Sequence, residues 1–485
     1  MNSYDSSTYK NLHKKVCVLL LMVNLFVGKL FADNLVKDSS IISSKKHIVG
    51  TISITGNKKT KERIILRELT FKVNDSIPVK ELHLQIARSE QNLLNTSLFN
   101  FSKITYTSSI NSDTLFFDVN VTERWFLWPN PELEIQDRNF NTWWETKDLF
   151  RVNYGLFLTA YNVRGRNETA VLKFRKGYTE LMGFGYKIPN LNKKQNLGAN
   201  ISVAYSRNNE VAFSTQNNKL IFIRDYKNYL KSDLECKLGF SYRKGIYARH
   251  IIDFMYTKKQ INDSIIKLNP NYFGNDHQNA EYISLQYRFK YDERDSKIFP
   301  LKGIYYELYF CKDGLNILKN ENTDNLSIEV IVKKYWQPYK RISIGSSVRV
   351  RYRELNSRGY FFNQALGYSD FIRGYEYYVI DGQTFSVFKT NFNYQLVSPK
   401  VVQIPYKKLK QFTKIPYAIY LSAHADAGFV QDRFFYTSNN LTNKPIYGIG
   451  AGISLVTYYD FVLRFDYSMN HLKEHGCFVH FSAPF

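Results

Sequence analysis

Long apolar runs are missing from this sequence. After the first thirty residues no stretch of about 18 apolar residues occurs, so no transmembrane helix is expected beyond that point. Cysteine is scarce. Of the four, Cys17 lies in the N-terminal apolar segment, and Cys236, Cys311 and Cys477 are scattered through strand-like segments. They make neither a disulfide framework nor a metal set, and read as small hydrophobes. The motifs of common chemistries are absent as well: no Gly-x-Ser-x-Gly, no phosphate loop, no His-Glu-x-x-His and no paired carboxylates in a common motif. The nine histidines lie apart, and His424 has no partners at metal-ligand spacing. Catalysis is therefore not expected, and no cofactor is implied.

Aromatic residues, by contrast, are plentiful. They make up 16% of 485 residues, with 37 Tyr and 36 Phe, while the mean hydropathy is −0.36. A soluble globule and a transmembrane β-barrel both fit these averages, because barrel strands alternate lipid-facing apolar with lumen-facing polar residues. The aromatic excess favours the barrel, whose interfaces carry aromatic girdles, and Trp143 and Trp144 fit such an interface. The net charge is +23. Lys and Arg are spread along the chain rather than gathered, as in the run Val348-Arg349-Val350-Arg351-Tyr352-Arg353, which on a strand places three arginines on one face. A cationic lumen or attraction to anionic headgroups accounts for this better than nucleic acid, which is not an expected partner.

The chain divides into four parts. Residues 1–32 read as a signal peptide, with Lys10, His13, Lys14 and Lys15 ahead of an apolar run and Ala32 at the cleavage point. Residues 33–46 are a polar, flexible lead. Residues 47–124 read as a β-α-α-β-β module: a strand at 48–54, helices at 60–69 and from Pro78 on, then strands at 104–107 and 114–121. An open edge of its sheet could accept an incoming strand. Residues 125–485 are a succession of alternating segments of about ten residues. Clear ones occupy 155–161, 169–175, 197–205, 234–242, 282–290, 304–310, 342–352, 384–394, 417–426, 447–455, 461–467 and 477–485. Candidates near Phe126, Leu181, Leu220, Ile251 and Ile328 bring the count to sixteen or seventeen. Single-chain barrels use even numbers, so about 16 antiparallel strands are expected, with the segment around Leu220 the weakest member. The fold class is thus an all-β transmembrane barrel preceded by a small α+β module. A soluble sandwich would need fewer strands and denser turn Gly and Pro.

Within the barrel, Asp370-Phe371-Ile372-Arg373-Gly374-Tyr375 and Ala425-Asp426-Ala427-Gly428-Phe429 stand out. Removing an unpaired guanidinium from water costs several kcal/mol, so an arginine turned inward calls for a carboxylate. Arg373 with Asp426 reads as a lock, clamping an inward-folded loop to the barrel wall. An exposed loop arginine is the plainer alternative, and Val163-Arg164-Gly165 shows how readily such tripeptides occur.

These features resemble the family of outer-membrane assembly and translocation proteins that includes BamA, TamA and the two-partner secretion translocators. The N-terminal module is similar to a POTRA domain: Gly56-Asn57 matches its first turn, Leu98-Phe99 its Gly-Leu-Phe with Ser97 in place of the Gly, and 116–123 its last strand. Asp292, Arg294 and Asp295, followed by Phe299, Pro300 and Gly303, match the family's D-x-R-D…F-P-x-x-G hairpin. Arg373, Gly374 and Tyr375 match its inward loop, in which Gly367 fits the first glycine and Tyr368 replaces the second. Asp426 and Gly428 match the strand that supplies the carboxylate, and Phe485 resembles the terminal aromatic of the barrel-targeting signal. The resemblance implies an outer-membrane protein with its module in the periplasm. It implies insertion, assembly or translocation of other polypeptides without catalysis. Partners would be unfolded outer-membrane or secreted clients, outer-membrane lipids and accessory lipoproteins. A single module points to an accessory or specialised member. A passive pore or surface-antigen barrel, and a dedicated secretion translocator, are the alternatives.

Overall fold

The computed structural model describes residues 46–108, 112–135, 147–319, 321–403, 413–434, 439–457, 459 and 461–481. The expected signal peptide, the lead up to residue 45, Trp143, Trp144 and Phe485 lie outside the described residues.

The N-terminal module contains β1 (Lys46–Thr55), α1 (Glu62–Leu66), β2 (Ser76–Pro78), α2 (Val79–Asn95), β3 (Phe99–Ser108) and β4 (Thr114–Glu123). Its sheet runs β2-β1-β4-β3, with β1 and β4 parallel and the other pairs antiparallel. The helices pack Ile64, Ile65, Leu82, Ile86 and Leu93 onto Val49, Ile104, Phe117 and Val119 of the sheet. Several details differ from the sequence reading: the first helix ends at Leu66 rather than Leu69, and β3 already starts at Phe99. β2 is an additional strand, too short to show a period. The first helix begins at Glu62 rather than Thr60, because the Thr60 amide and hydroxyl both donate to the Glu123 carboxylate at 2.6 Å and hold that residue outside the helix.

The strands that follow are β5 (Leu127–Ile135), β6 (Val152–Val163), β7 (Glu168–Gly177), β8 (Thr179–Ile188), β9 (Leu197–Asn208), β10 (Glu210–Gln216), β11 (Lys219–Arg224), β12 (Lys231–Lys244) and β13 (Ala248–Ile261). After the short helix α3 (Asp263–Leu268) come β14 (Asn279–Asp292), β15 (Gly303–Asp313), β16 (Asn325–Tyr339), β17 (Ile342–Leu355), β18 (Thr384–Gln403), β19 (Lys414–Gln431), β20 (Pro445–Thr457), β21 (Val462–Asn470) and β22 (His475–His480). All except β10 and β11 form one antiparallel sheet of 16 strands in chain order, the expected number. The segment around Leu220 is not in it. β10 and β11 make a separate hairpin, turned by Asn217 and Asn218 at φ of 51° and 59°, the left-handed geometry that two-residue hairpin loops demand.

Side chains alternate as a barrel requires. Phe465, Tyr467 and Met469 on β21 are exposed on the outer face, while Arg464, Asp466, Ser468 and Asn470 are buried inside. β19 repeats the pattern, with Leu421 and Phe429 outward and Ser422, His424 and Asp426 inward. Odd-numbered turns between barrel strands lie at the end opposite the module; the module sits against the even ones.

Candidate functional site: a clamped inward loop beside an unpaired seam

Residues 356–383 join β17 to β18 from the far end of the barrel and fold back into the lumen. A two-way backbone bridge between Leu366 and Ile380 closes the loop's neck at 3.0 and 2.8 Å. Its apolar side chains, among them Ile372 and Tyr375, pack on Phe385, Val387, Val430 and Ile446 of the wall. At its tip the Arg373 amide and Nε donate to Asp426 Oδ2 at 3.2 and 2.8 Å, and Nη2 donates to Oδ1. Nη1 donates to Asn391 Oδ1 at 2.8 Å and Nη2 to the Thr390 carbonyl at 3.2 Å. Arg373 is 1% and Asp426 2% exposed, so the exposed-arginine alternative does not describe this side chain. Breaking such a buried pair from one side costs about 3–5 kcal/mol, because the remaining charge stays buried without its partner.

Glycines make room for the tip. Gly374 adopts φ +94°, where a side chain would be strained, and its carbonyl accepts from Asn470 Nδ2 at 2.9 Å. A Cβ at Gly428 would stand 2.4 Å from Ile372 Cδ1. Asp426 therefore supplies the counter-charge, and Gly428 two residues on supplies the space on the same face.

The grip extends beyond the residues that the sequence singled out. Tyr375 Oη meets His471 Nδ1, and Tyr378 Oη donates to Glu474 Oε1 at 2.7 Å, both in the turn between β21 and β22. Phe371 stacks on His480 at 5.4 Å between centroids, and Tyr377 packs on Phe478 at 5.6 Å, both on β22. The loop thus holds the final hairpin from inside. No sequence signal marks these partners: they are polar or aromatic residues at ordinary turn and strand positions, and only barrel closure brings them to the loop. His424, set aside as a metal ligand, has its Nε2 3.0 Å from Ser468 Oγ.

β22 is also an end of the sheet. Among the described residues no backbone pairing joins β22 to β5, the two ends of the sheet, and the junction between these ends is the seam. A cavity of about 880 Å³ is lined by Phe371 and Glu376 of the loop, by Phe478 and His480 of β22, and by Glu210 and Lys231.

At the opposite end, the hairpin motif shapes the turn between β14 and β15. Arg294 Nε and Nη2 donate to the two oxygens of Asp292 at 2.8 and 2.9 Å, a local ion pair. Asp295 accepts from the Ser296 and Leu301 amides at 2.8 and 3.0 Å, which curls the turn. Phe299 and Pro300 are buried, and Phe299 stacks on Tyr420 of β19 at 4.5 Å between centroids. Gly303 sits at φ +108° with no space for a Cβ against the Glu293 carbonyl. The turn thus folds inward and packs on the inner face of β19.

The module rests on four turns of the same end. Lys61 donates its amide to the Gly165 carbonyl at 3.0 Å, Asn162 Nδ2 donates to Thr60 Oγ1 at 2.8 Å, and Arg67 Nε donates to the Gln195 carbonyl at 2.8 Å. Asn95 Nδ2 reaches the Arg294 carbonyl at 3.3 Å. The strongest tie is Glu68, whose two oxygens accept from Arg243 Nη1 and Nη2 at 2.6 and 2.7 Å. Burial pushes the Glu68 carboxyl up, but the Arg243 charge and hydrogen bond, with Arg67 and Lys297, outweigh it and hold the group below its ordinary value.

Solved structures provide a comparison. CdiB from Escherichia coli superposes with a TM-score of 0.54 at 10% identity, covering 89% of this chain and 75% of that one. The chain shares the barrel fold of that protein. BamA from Haemophilus ducreyi lacking POTRA domains 1–3 aligns over 90% of this chain and 83% of its own at 11% identity, with a TM-score of 0.48. CdiB from Acinetobacter baumannii aligns over 90% and 74% at 10% identity, with a TM-score of 0.44. No family model matches, and no curated protein matches in sequence. In a barrel of this fold the outward Phe465, Tyr467, Leu421 and Phe429 form the lipid-facing surface and the clamped loop occupies the lumen.

Proposed function

We propose that the protein works in the outer membrane, with its N-terminal module in the periplasm, and assists the insertion or translocation of other polypeptides without catalytic chemistry. The observation that carries this reading is the seam. Unpaired strand edges are costly in lipid, and barrels ordinarily remove them by closure. An unpaired pair of edges, braced from inside by a loop gripping the final hairpin, suits a strand template: a client strand pairs transiently with β5 or β22 and leaves when its own barrel closes. The module would act as a POTRA-like receptor. β3 is a free edge of its sheet, with Thr105 to Ser108 exposed, and fits capture of an extended client segment by strand addition. Arg373 and Asp426 would act as a lock that sets the lumen side of the seam. Outer-membrane lipids are direct partners in this reading, and accessory lipoproteins would dock on the module.

The inward loop and the inward turn between β14 and β15 both occupy the lumen, which argues against a passive pore. Depletion followed by outer-membrane and secreted proteomics tests the proposal. Loss of a set of other barrels is the expected result for an insertase, and loss of one secreted chain for a dedicated translocator. An unchanged outer-membrane and secreted proteome overturns both.

A further inference from the structure

Inside the module-side mouth lies a chamber of about 310 Å³, walled by the N-terminal module, by the inner faces of β7, β8 and β13, and by the turn after β14. Four cationic side chains line it: Lys187, Arg243, Arg249 and Lys297. Two carboxylates do so as well, and both are engaged. Glu68 holds Arg243 through two hydrogen bonds, and Asp292 holds Arg294 through two more. Lys297 Nζ donates to the Asn95 carbonyl at 2.9 Å, a neutral acceptor. The charges that act most strongly on Lys187 are all positive: Arg249, Lys297, Lys290 and Lys237. Those acting on Arg249 are Arg243 and Arg67 against the already paired Glu68. Among the described residues, neither Lys187 nor Arg249 has an ion-pair partner. Lys187 and Arg249 therefore face this space without an ion-pair partner, and Asp292 and Glu68, the carboxylates near Lys297, are already bonded to Arg294 and Arg243.

We propose that this chamber is a binding site for a water-borne oxyanion of the phosphate class. A walled, positively lined recess concentrates anions, because the low-dielectric surround focuses its field. A monovalent halide offsets one charge. A phosphate group brings close to two negative charges and three strong acceptor oxygens, which matches two ammonium groups and one guanidinium converging from β8, the turn after β14, and β13. The source is soluble rather than lipid. The wall strands β7, β8 and β13 are each hydrogen-bonded to a neighbour on both sides, so a phospholipid headgroup would have to cross an intact hydrogen-bonded wall to enter. Because Asn95 and Glu68 of the module close the chamber, the bound anion also cements the module to the barrel.

Isothermal titration of the full-length protein in uncharged detergent, with inorganic phosphate at constant ionic strength, tests the site. The expected result is saturable binding that Lys187→Gln or Arg249→Gln weakens roughly ten- to a hundredfold, the range for one hydrogen bond to a charged group. Lys176→Gln, whose exposed side chain lies outside the chamber, should leave it unchanged. Heat-modifiable migration checks that each variant is assembled; should a strand variant fail to assemble, Lys297→Gln in the turn carries the same test. No saturable phosphate binding, or binding that the chamber variants do not alter, overturns the site. Lys187-dependent binding of phosphatidylglycerol micelles without binding of free phosphate overturns the soluble source.

Discussion

Gly448 lies directly against the backbone of Arg373: a Cβ there would stand 2.0 Å from the Arg373 carbonyl oxygen. Gly448 is also the residue paired with Asp426 across β19 and β20. The carboxylate that neutralises the arginine and the glycine that admits its backbone are therefore neighbours across one ladder rung. Charge and shape at the loop tip are set at the same place on the wall.

Gly448→Ala is accordingly expected to expel the loop tip while leaving the barrel assembled. The obstructing atom is backbone, so neither partner can swing aside, and overpacking of this kind costs about 1–3 kcal/mol. Chymotrypsin access to Tyr375, Tyr377 and Tyr378 measures it. Cleavage should rise in the variant, and heat-modifiable migration should not change.

Arg373→Ala is expected to lower client insertion or export in an assembled barrel. Arg373→Met and Asp426→Leu should each loosen the loop by about 3–5 kcal/mol, and the double variant by clearly less than either, because it leaves no buried charge unpaired. Protease protection of the loop in the four proteins forms the cycle. Equal loosening in all three variants would remove the ion pair from the account.

How much of this was legible beforehand follows from what writes a pattern into a sequence. The sixteen barrel strands sit between lipid and lumen, and that environment imposes a period of two that Phe465, Asp466, Tyr467 and Ser468 display openly. The segment around Leu220 alternates just as well, yet its six residues belong to a hairpin outside the wall, where Asn218 accepts from the Leu441 amide and donates to the Val379 carbonyl. Period alone does not distinguish the two. Arg373 and Asp426 stood out by residue type and spacing. Their further partners Asn391 and Thr390 depend on the register of β18 against β19, and His471 and Glu474 depend on closure of the last hairpin, neither of which leaves a local signature. The tie between Glu68 and Arg243 spans 175 positions and two domains, and was not anticipated.

That tie gives docking of the module a pH dependence. Glu68 sits below its ordinary value of 4.5 when docked, because Arg243 and its hydrogen bond outweigh burial. A depressed carboxyl contributes its stabilisation fully above the undocked value and loses it as pH falls through the docked one. Protease access to the linker at Arg124 should be flat between roughly pH 6 and 8, well above the carboxylate range, and should rise only in acid below the ordinary value. Glu68→Gln should be more accessible at neutral pH and lose the acid dependence. A wild-type transition near neutrality would assign control of docking to another group.

Phe299 offers a test of what fills the lumen. Its ring stacks on Tyr420 and packs with Ala418 and Val462, which anchors the inward turn between β14 and β15 to the inner faces of β19 and β21. Truncating a buried phenylalanine costs about 3–5 kcal/mol, far more than the few hydrogen bonds of the turn's tip can offset. Phe299→Ala is therefore expected to release the turn from the lumen while the Asp292–Arg294 pair keeps its base intact. Single-channel recording in planar bilayers reads the outcome as longer or larger open events than in the wild-type protein. Phe299→Leu, which retains most of the apolar contact with Ala418 and Val462, should lie between the two. Identical conductance in all three proteins would mean that the turn does not obstruct the pore, and the argument against a passive channel would then rest on the inward loop alone.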